Sequence, residues 1–199
     1  RYSNMFEISW YIVFAAYVMD FIIGDPRWLP HPVVYMGRAI SYFEPIFRRW
    51  FTNLFISGVL FAVFLIVAAW GIAAVLVALA GMIHPVVSIA VQVVLLFYCF
   101  SSKSLETAAM DVYRALKEDD IKKARQKVGM IVGRTTDRLD EKGVTRAAVE
   151  TVAENFVDGF LSPLFFALIG GAPPALAYKM VNTLDSMVGY QNDTYALFG

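Results

Sequence analysis

The sequence predicts an all-α, polytopic membrane protein that carries one polar helical block. Three observations lead there. Of the 199 residues, 58% are hydrophobic and 17% charged, below the roughly 25% usual for soluble domains. The charges balance, 17 Lys and Arg against 17 Asp and Glu, but positions 50–102, between Arg49 and Lys103, hold none: a run of 53. Residues 101–155 then hold 11 of the 17 basic and 10 of the 17 acidic residues. A charge-free run of that length exceeds what a soluble core needs and reads as membrane helix. The same figures exclude a disordered chain, a disulfide scaffold (Cys99 is the one cysteine) and a nucleic-acid-binding module.

The elements follow in order, as one membrane domain. Residues 8–24 are apolar apart from Ser9 and Asp20 and predict a first membrane helix, ended by Gly24-Asp25-Pro26. Residues 25–52, rich in Pro and Arg, predict a loop on the cytoplasmic side. Residues 53–82 and 86–102 predict a transmembrane hairpin around the turn Gly81-Met82-Ile83-His84-Pro85. Residues 103–155 predict cytoplasmic helices. Leu105, Ala109, Val112 and Leu116 form one stripe, and Ile121, Ala124, Val128 and Ile131 a second, with Asp119 or Asp120 as N-cap. A third helix is expected to start near Thr145. Residues 156–190 are apolar but divided at Gly170-Gly171-Ala172-Pro173-Pro174, which predicts a broken or re-entrant helical hairpin. The chain begins at Arg1 and stops at Gly199 straight after a motif-dense stretch, so a fragment of a longer protein is expected. Its first apolar run lacks the basic leader and cleavage site of a signal peptide.

Basic residues set the expected orientation. Four Arg lie in 25–50 and eleven Lys and Arg in 101–155, whereas the turn at 81–85 has no charged residue. Both basic stretches are therefore expected in the cytoplasm, with every polar cluster on that one side of the lipid bilayer.

Four constellations could carry chemistry. Arg146, Glu150, Glu154 and Asp158 are spaced by four, so each lies ~40° from the last on one helix face. Three carboxylates at a membrane entrance, with an arginine above, suit Mg²⁺ and a phosphorylated ligand; a solvated Arg146–Glu150 pair is the plainer alternative. Asn155 accompanies them. Lys179, Asn182, Asp185 and Ser186 share a second face, followed by Tyr190. Lysine suits phosphate, and Asn and Asp suit a metal or an amine. Gly133-Arg134-Thr135-Thr136 could cradle a phosphate. Asp20, Asp25 and His31 form the fourth, an intramembrane acid and a proline-flanked histidine. His84 reads as an interfacial residue without chemistry. There is no P-loop, no zinc-type Cys/His spacing and no nucleophile elbow.

These residues resemble the CobD/CbiB family, the adenosylcobinamide-phosphate synthases of cobalamin biosynthesis. The resemblance rests on Asp20…Gly24-Asp25-Pro26…Leu29-Pro30-His31-Pro32-Val33, Gly133-Arg134…Leu139, Arg146-Ala147…Glu150-Thr151…Glu154-Asn155…Asp158-Gly159…Pro163-Leu164 and Tyr178-Lys179…Asn182-Thr183-Leu184-Asp185-Ser186-Met187-Val188-Gly189-Tyr190. It implies a membrane enzyme that joins adenosylcobyric acid to (R)-1-amino-2-propanol O-2-phosphate with ATP and Mg²⁺. The corrinoid, the aminopropanol phosphate and ATP are the implied partners, and other membrane-bound cobalamin-assembly enzymes could join them. From residue chemistry, Asp25, His31, Glu154, Asp158 and Asp185 are expected in catalysis, with Glu154, Asp158 and Asp185 also on the metal. Arg134, Arg146, Lys179, Asn155, Asn182, Ser186 and Tyr190 are expected to bind substrate and phosphate. Two rival readings stay open: an Mg²⁺-dependent intramembrane prenyltransferase, suggested by the repeated Asn-x-x-Asp, and a transporter or complex subunit.

Overall fold

The computed structural model describes residues 10–24, 31–133 and 135–199. They form helices and turns with no strand among them. Three helical stretches, Leu54–Ile83, Pro85–Lys117 and Glu141–Gly170, are long and apolar enough to cross a membrane, consistent with a membrane protein.

Helix α1 (Trp10–Ile23) ends where Gly24 takes φ +63° and gives its N–H to the Asp20 carbonyl. The next element corrects the sequence reading. The stretch 25–52, expected as loop, contains α2 (Pro32–Trp50). Its proline-rich start is a helix start. The His31 ring accepts the Val33 N–H, and Pro32 stands at the first position, where a missing N–H costs nothing. Met36, Ile40, Phe43 and Phe47 then repeat at helical spacing and pack into the core.

Helix α3 (Leu54–Ile83) is capped by Asn53 and turns at His84 into α4 (Pro85–Phe97). His84 is itself a cap, its ring accepting the Val86 N–H. The buried side of α3 is Phe61, Leu65, Ala69, Ala73, Val77 and Ala80. These residues recur every three to four, and the small ones let α9 lie close. The opposite side, with Val63, Val67, Trp70, Val75 and Leu79, is exposed apolar surface, as lipid requires.

The expected helix 86–102 is interrupted. It leaves α-geometry at Tyr98–Ser101 and resumes as α5 (Ser102–Lys117). Helices α6 (Ile121–Gly129) and α7 (Glu141–Phe156) close a small separate core of Val112, Ala115, Ala124, Val128, Val144 and Ala147. Asp120 caps α6 through the Lys123 N–H. The third polar helix starts four residues before Thr145, because Asp140 is its cap, accepting from the Gly143 N–H. Thr145 instead bonds inside the helix to the Glu141 carbonyl.

Helix α7 does not stop at the expected boundary near 155. A π-helical turn, Val157–Leu161, carries it directly into α8 (Ser162–Gly170). Gly171, with φ +74°, then reverses the chain into α9 (Ala172–Val188). α9 packs on α3 and α8, and the final turn returns under α2: the Arg48 guanidinium donates to the Thr194 carbonyl at 3.1 Å and lies 3.9 Å from the centre of the Phe198 ring.

Candidate functional site

The site begins with backbone groups that two irregular segments leave without helical partners. The first is the α4–α5 break, where the last turn of α4 has carbonyls to satisfy. Lys179 of α9 supplies a donor: its Nζ donates to the Cys99 carbonyl at 3.1 Å and to Ser101 Oγ at 3.2 Å. An ammonium at a helix C-terminus also complements the helix dipole. From the other side, the buried Asp20 of α1 accepts the Ser102 N–H at 2.9 Å and so fixes the start of α5.

The second irregular segment is the π turn. Pro163 has no N–H to return to the carbonyls of Asp158 and Gly159 one turn earlier. Both are used outside the helix. Asn182 Nδ2 donates to the Asp158 carbonyl at 3.2 Å, and the Ser101 N–H donates to the Gly159 carbonyl at 3.1 Å. Tyr178 adds a bond from its hydroxyl to Asp158 Oδ1 at 3.2 Å. The π turn thereby joins α9 to the α4–α5 break.

A cleft of about 440 Å³ opens beside this junction, between the start of α2, the break and α9. His31, Ser101, Lys179, Asn182, Thr183 and Ser186 give it polar groups, and Val33, Val34 and Met187 give it apolar wall. His31 enters with its Nδ1 already accepting the Val33 N–H, so the neutral ring carries its proton on Nε2. Its ring also meets Tyr98 edge-on, 5.3 Å between centres. Ser186 Oγ donates to the Asn182 carbonyl at 2.9 Å.

Of the residues expected in the site, the cleft gathers His31, Lys179, Asn182 and Ser186, with Asp158 behind Asn182. The rest of the expected set stands apart. Arg146 is solvent-exposed and ion-paired with Glu150 at 2.6 Å, the plain helix-surface pair. It stands twelve residues before Asp158, ~18 Å along a helix. Glu154 is exposed, and Asn155 turns back to the Thr151 carbonyl of its own helix at 2.9 Å. Asp185 lies on the rim of another cleft, about 300 Å³, against Gly58, Leu184 and Phe198. Tyr190 is exposed beyond the end of α9. Asp25 and Arg134 lie outside the described residues.

The expected metal set is therefore not assembled: among the described residues no three His, Cys, Asp or Glu side chains come together in a way that could hold a metal ion. The physical reason is the partition of two faces. Glu154 and Asp158 sit on α7 and its π turn, whereas Asp185 points along the α3 side of α9. Sequence reasoning missed Ser101 and the structural use of Tyr178. The available signals were a Ser-Ser pair where the composition changes sharply and the Asp158-Gly159…Pro163 string inside a helical run.

The family described as CobD/Cbib protein matches residues 13–199. A cobalamin biosynthesis protein CbiB of Salmonella arizonae is 47% identical over 195 residues, covering 96% of this chain and 60% of its own. Cobalamin biosynthesis proteins CobD of Clostridium perfringens and Geobacter metallireducens are 45% and 46% identical, over 94% of this chain and 60% and 59% of theirs. The chain thus spans about 60% of the length of these relatives. No solved structure matches it. A match over nearly the whole chain, with relatives 45–47% identical, places the protein in the CobD/CbiB family.

Proposed function

We propose that the full-length protein acts in cobalamin biosynthesis as an adenosylcobinamide-phosphate synthase, joining adenosylcobyric acid to (R)-1-amino-2-propanol O-2-phosphate at the expense of ATP. The observation that carries this reading is the meeting of His31, Lys179, Asn182 and Ser186, drawn from two motifs some 150 residues apart, in one cleft beside Asp158.

The chemistry suits those groups. A carboxylate and an ammonium do not condense in water unless the acid is activated, and ATP supplies a leaving group. Lys179 sets a positive charge beside the place of a phosphate or of the oxyanion formed when the amine attacks. Asp158 can take the proton that the amine must lose. Its carboxylate has two oxygens, so the bond from Tyr178 holds it in place and leaves accepting capacity. His31, with its proton on Nε2 and Nδ1 occupied, offers the cleft a hydrogen-bond donor rather than a base. Asn182 and Ser186 orient. Mg²⁺ enters with the nucleotide as its phosphate counter-ion.

On this reading the cleft faces the cytoplasm at the cell membrane. The basic stretches 25–50 and 101–155 stay inside and the uncharged turn 81–85 is outside.

The test uses full-length protein in detergent with the three substrates and Mg²⁺, following the corrinoid by mass spectrometry. The expected result is a gain of one aminopropanol phosphate less one water, in step with ATP consumption. Folded protein that leaves the corrinoid mass unchanged, or that acts only on a prenyl diphosphate, overturns the reading.

A further inference from the structure

The first turn of α5 separates two clefts. Ser101, just before it, faces the cleft already described. Lys103 and Ser104, within it, face a second one of about 430 Å³ between the end of α1, α5 and the end of α6. We propose that this second cleft holds the polyphosphate chain of a nucleoside triphosphate, while the first cleft serves the amine and its phosphate. The inference rests on the ligase reading for its co-substrate and on the following geometry for its place.

Two ammonium groups reach the cleft from different elements. Lys103 comes from α5, its stem against Gly24: a Cβ at position 24 would lie 3.0 Å from Lys103 Cγ. Lys127 comes from α6 and donates to Asp111 Oδ2 at 2.8 Å, while Lys103 Nζ donates to Glu106 Oε2 at 2.9 Å. A carboxylate takes one of the three N–H bonds an ammonium can donate. Each lysine is thus held in place with donors to spare for phosphate oxygens. Ser104 and Thr107 line the α5 wall, the Thr107 hydroxyl donating to the Lys103 carbonyl at 2.8 Å. Opposite them, Met130 and Ile131 add an apolar surface on which a base can lie.

A cleft of this volume is in the range that takes a nucleotide, as is the first, so the assignment rests on charge and place rather than on size. Place supports the division: Ser101 lines the first cleft and Lys103, two residues on, the second, so ligands in them are neighbours. Asp20, bonded to the Ser102 N–H, fixes that shared turn.

The test labels full-length enzyme with 8-azido-ATP in the absence of the other substrates and maps the modified peptides by mass. Label is expected within 102–131, and excess ATP should prevent it. Kinetically, Lys127→Met should raise the KM for ATP about tenfold, the worth of one charge-assisted hydrogen bond. The KM for aminopropanol phosphate should stay within about twofold. Lys127→Arg should restore most of the loss, and Lys122→Met, on the exposed side of the same helix, should change neither constant. Label elsewhere, unchanged constants in Lys127→Met, or a rise confined to the amine phosphate each overturn the assignment. Wild-type enzyme that labels here without forming the amide retains the nucleotide site and refutes the ligase reading instead.

Discussion

The pattern Asn-x-x-Asp occurs twice, at Asn155–Asp158 and at Asn182–Asp185, and the two copies are built into the molecule differently. In α9 the asparagine reaches across to the Asp158 carbonyl, while Asp185 stays on the rim of the α3-side cleft. In α7 the asparagine folds back to the Thr151 carbonyl of its own helix, while Asp158 accepts from Tyr178. The residues that meet are the Asp of the first copy and the Asn of the second. Spacing tells which residues share a face, but the packing partner decides which members of that face are used. Here the partner is the junction made by the π turn and the α4–α5 break, and it takes one residue from each copy.

The sharpest way to break this comparison is to remove the group that ties α9 to the break. Lys179→Met should lower turnover of the full-length enzyme on the order of 10³-fold, the range seen when a preorganised donor is lost. Because Lys179 also holds the Cys99 carbonyl, a thermal melt must show the variant folded. A folded Lys179→Met with near-normal kcat contradicts the site. Next in size, the two copies should respond in opposite order. Asp158→Asn is expected to cost about 10²-fold in kcat, as for a lost general base. Asp185→Asn should stay within about threefold, as for a surface change. Asn182→Ala should likewise exceed Asn155→Ala. Equal losses at Asp158 and Asp185 would restore the three-carboxylate metal set that the geometry separates.

The same residues show how much was legible beforehand. The helices α3 and α4 about the His84 turn, the polar helices and the chain reversal at Gly171 follow from composition and period. Lys179, Asn182 and Ser186 were legible as one face of one helix. Ser101 and the π turn were not, because they act through backbone groups, whose availability depends on where a helix is interrupted. Helix α2 was hidden by its own cap: His31-Pro32 reads as a rigid loop until the ring is seen accepting the Val33 N–H. The Arg146 face was ambiguous, because polar residues at regular spacing describe a solvated helix as well as a site.

His31 allows cap and chemistry to be separated, with a smaller expected effect. His31→Ala removes the acceptor for Val33 and should cost about 1 kcal/mol of stability. Asn is a good cap residue, so His31→Asn should recover most of that stability in a thermal melt. If the Nε2 proton serves the reaction, kcat for His31→Asn stays depressed about tenfold or more. Full recovery of both properties would make His31 a cap and nothing else.

The smallest effect expected is at Arg146, and its smallness is informative. The guanidinium is exposed and hydrogen-bonded to Glu150, which holds its charge on the surface of α7. A phosphate ligand in the α2–α9 cleft lies beyond its reach, and at physiological salt the Debye length of ~8 Å screens its charge over the ~18 Å that separate the two ends of this face. Arg146→Ala should therefore leave the KM for both phosphorylated substrates within about twofold, in low salt as in high. A loss that grows as the salt is lowered would mean that the α7 face steers anions toward the site at long range, and the two Asn-x-x-Asp helices would then share the work that their packing divides.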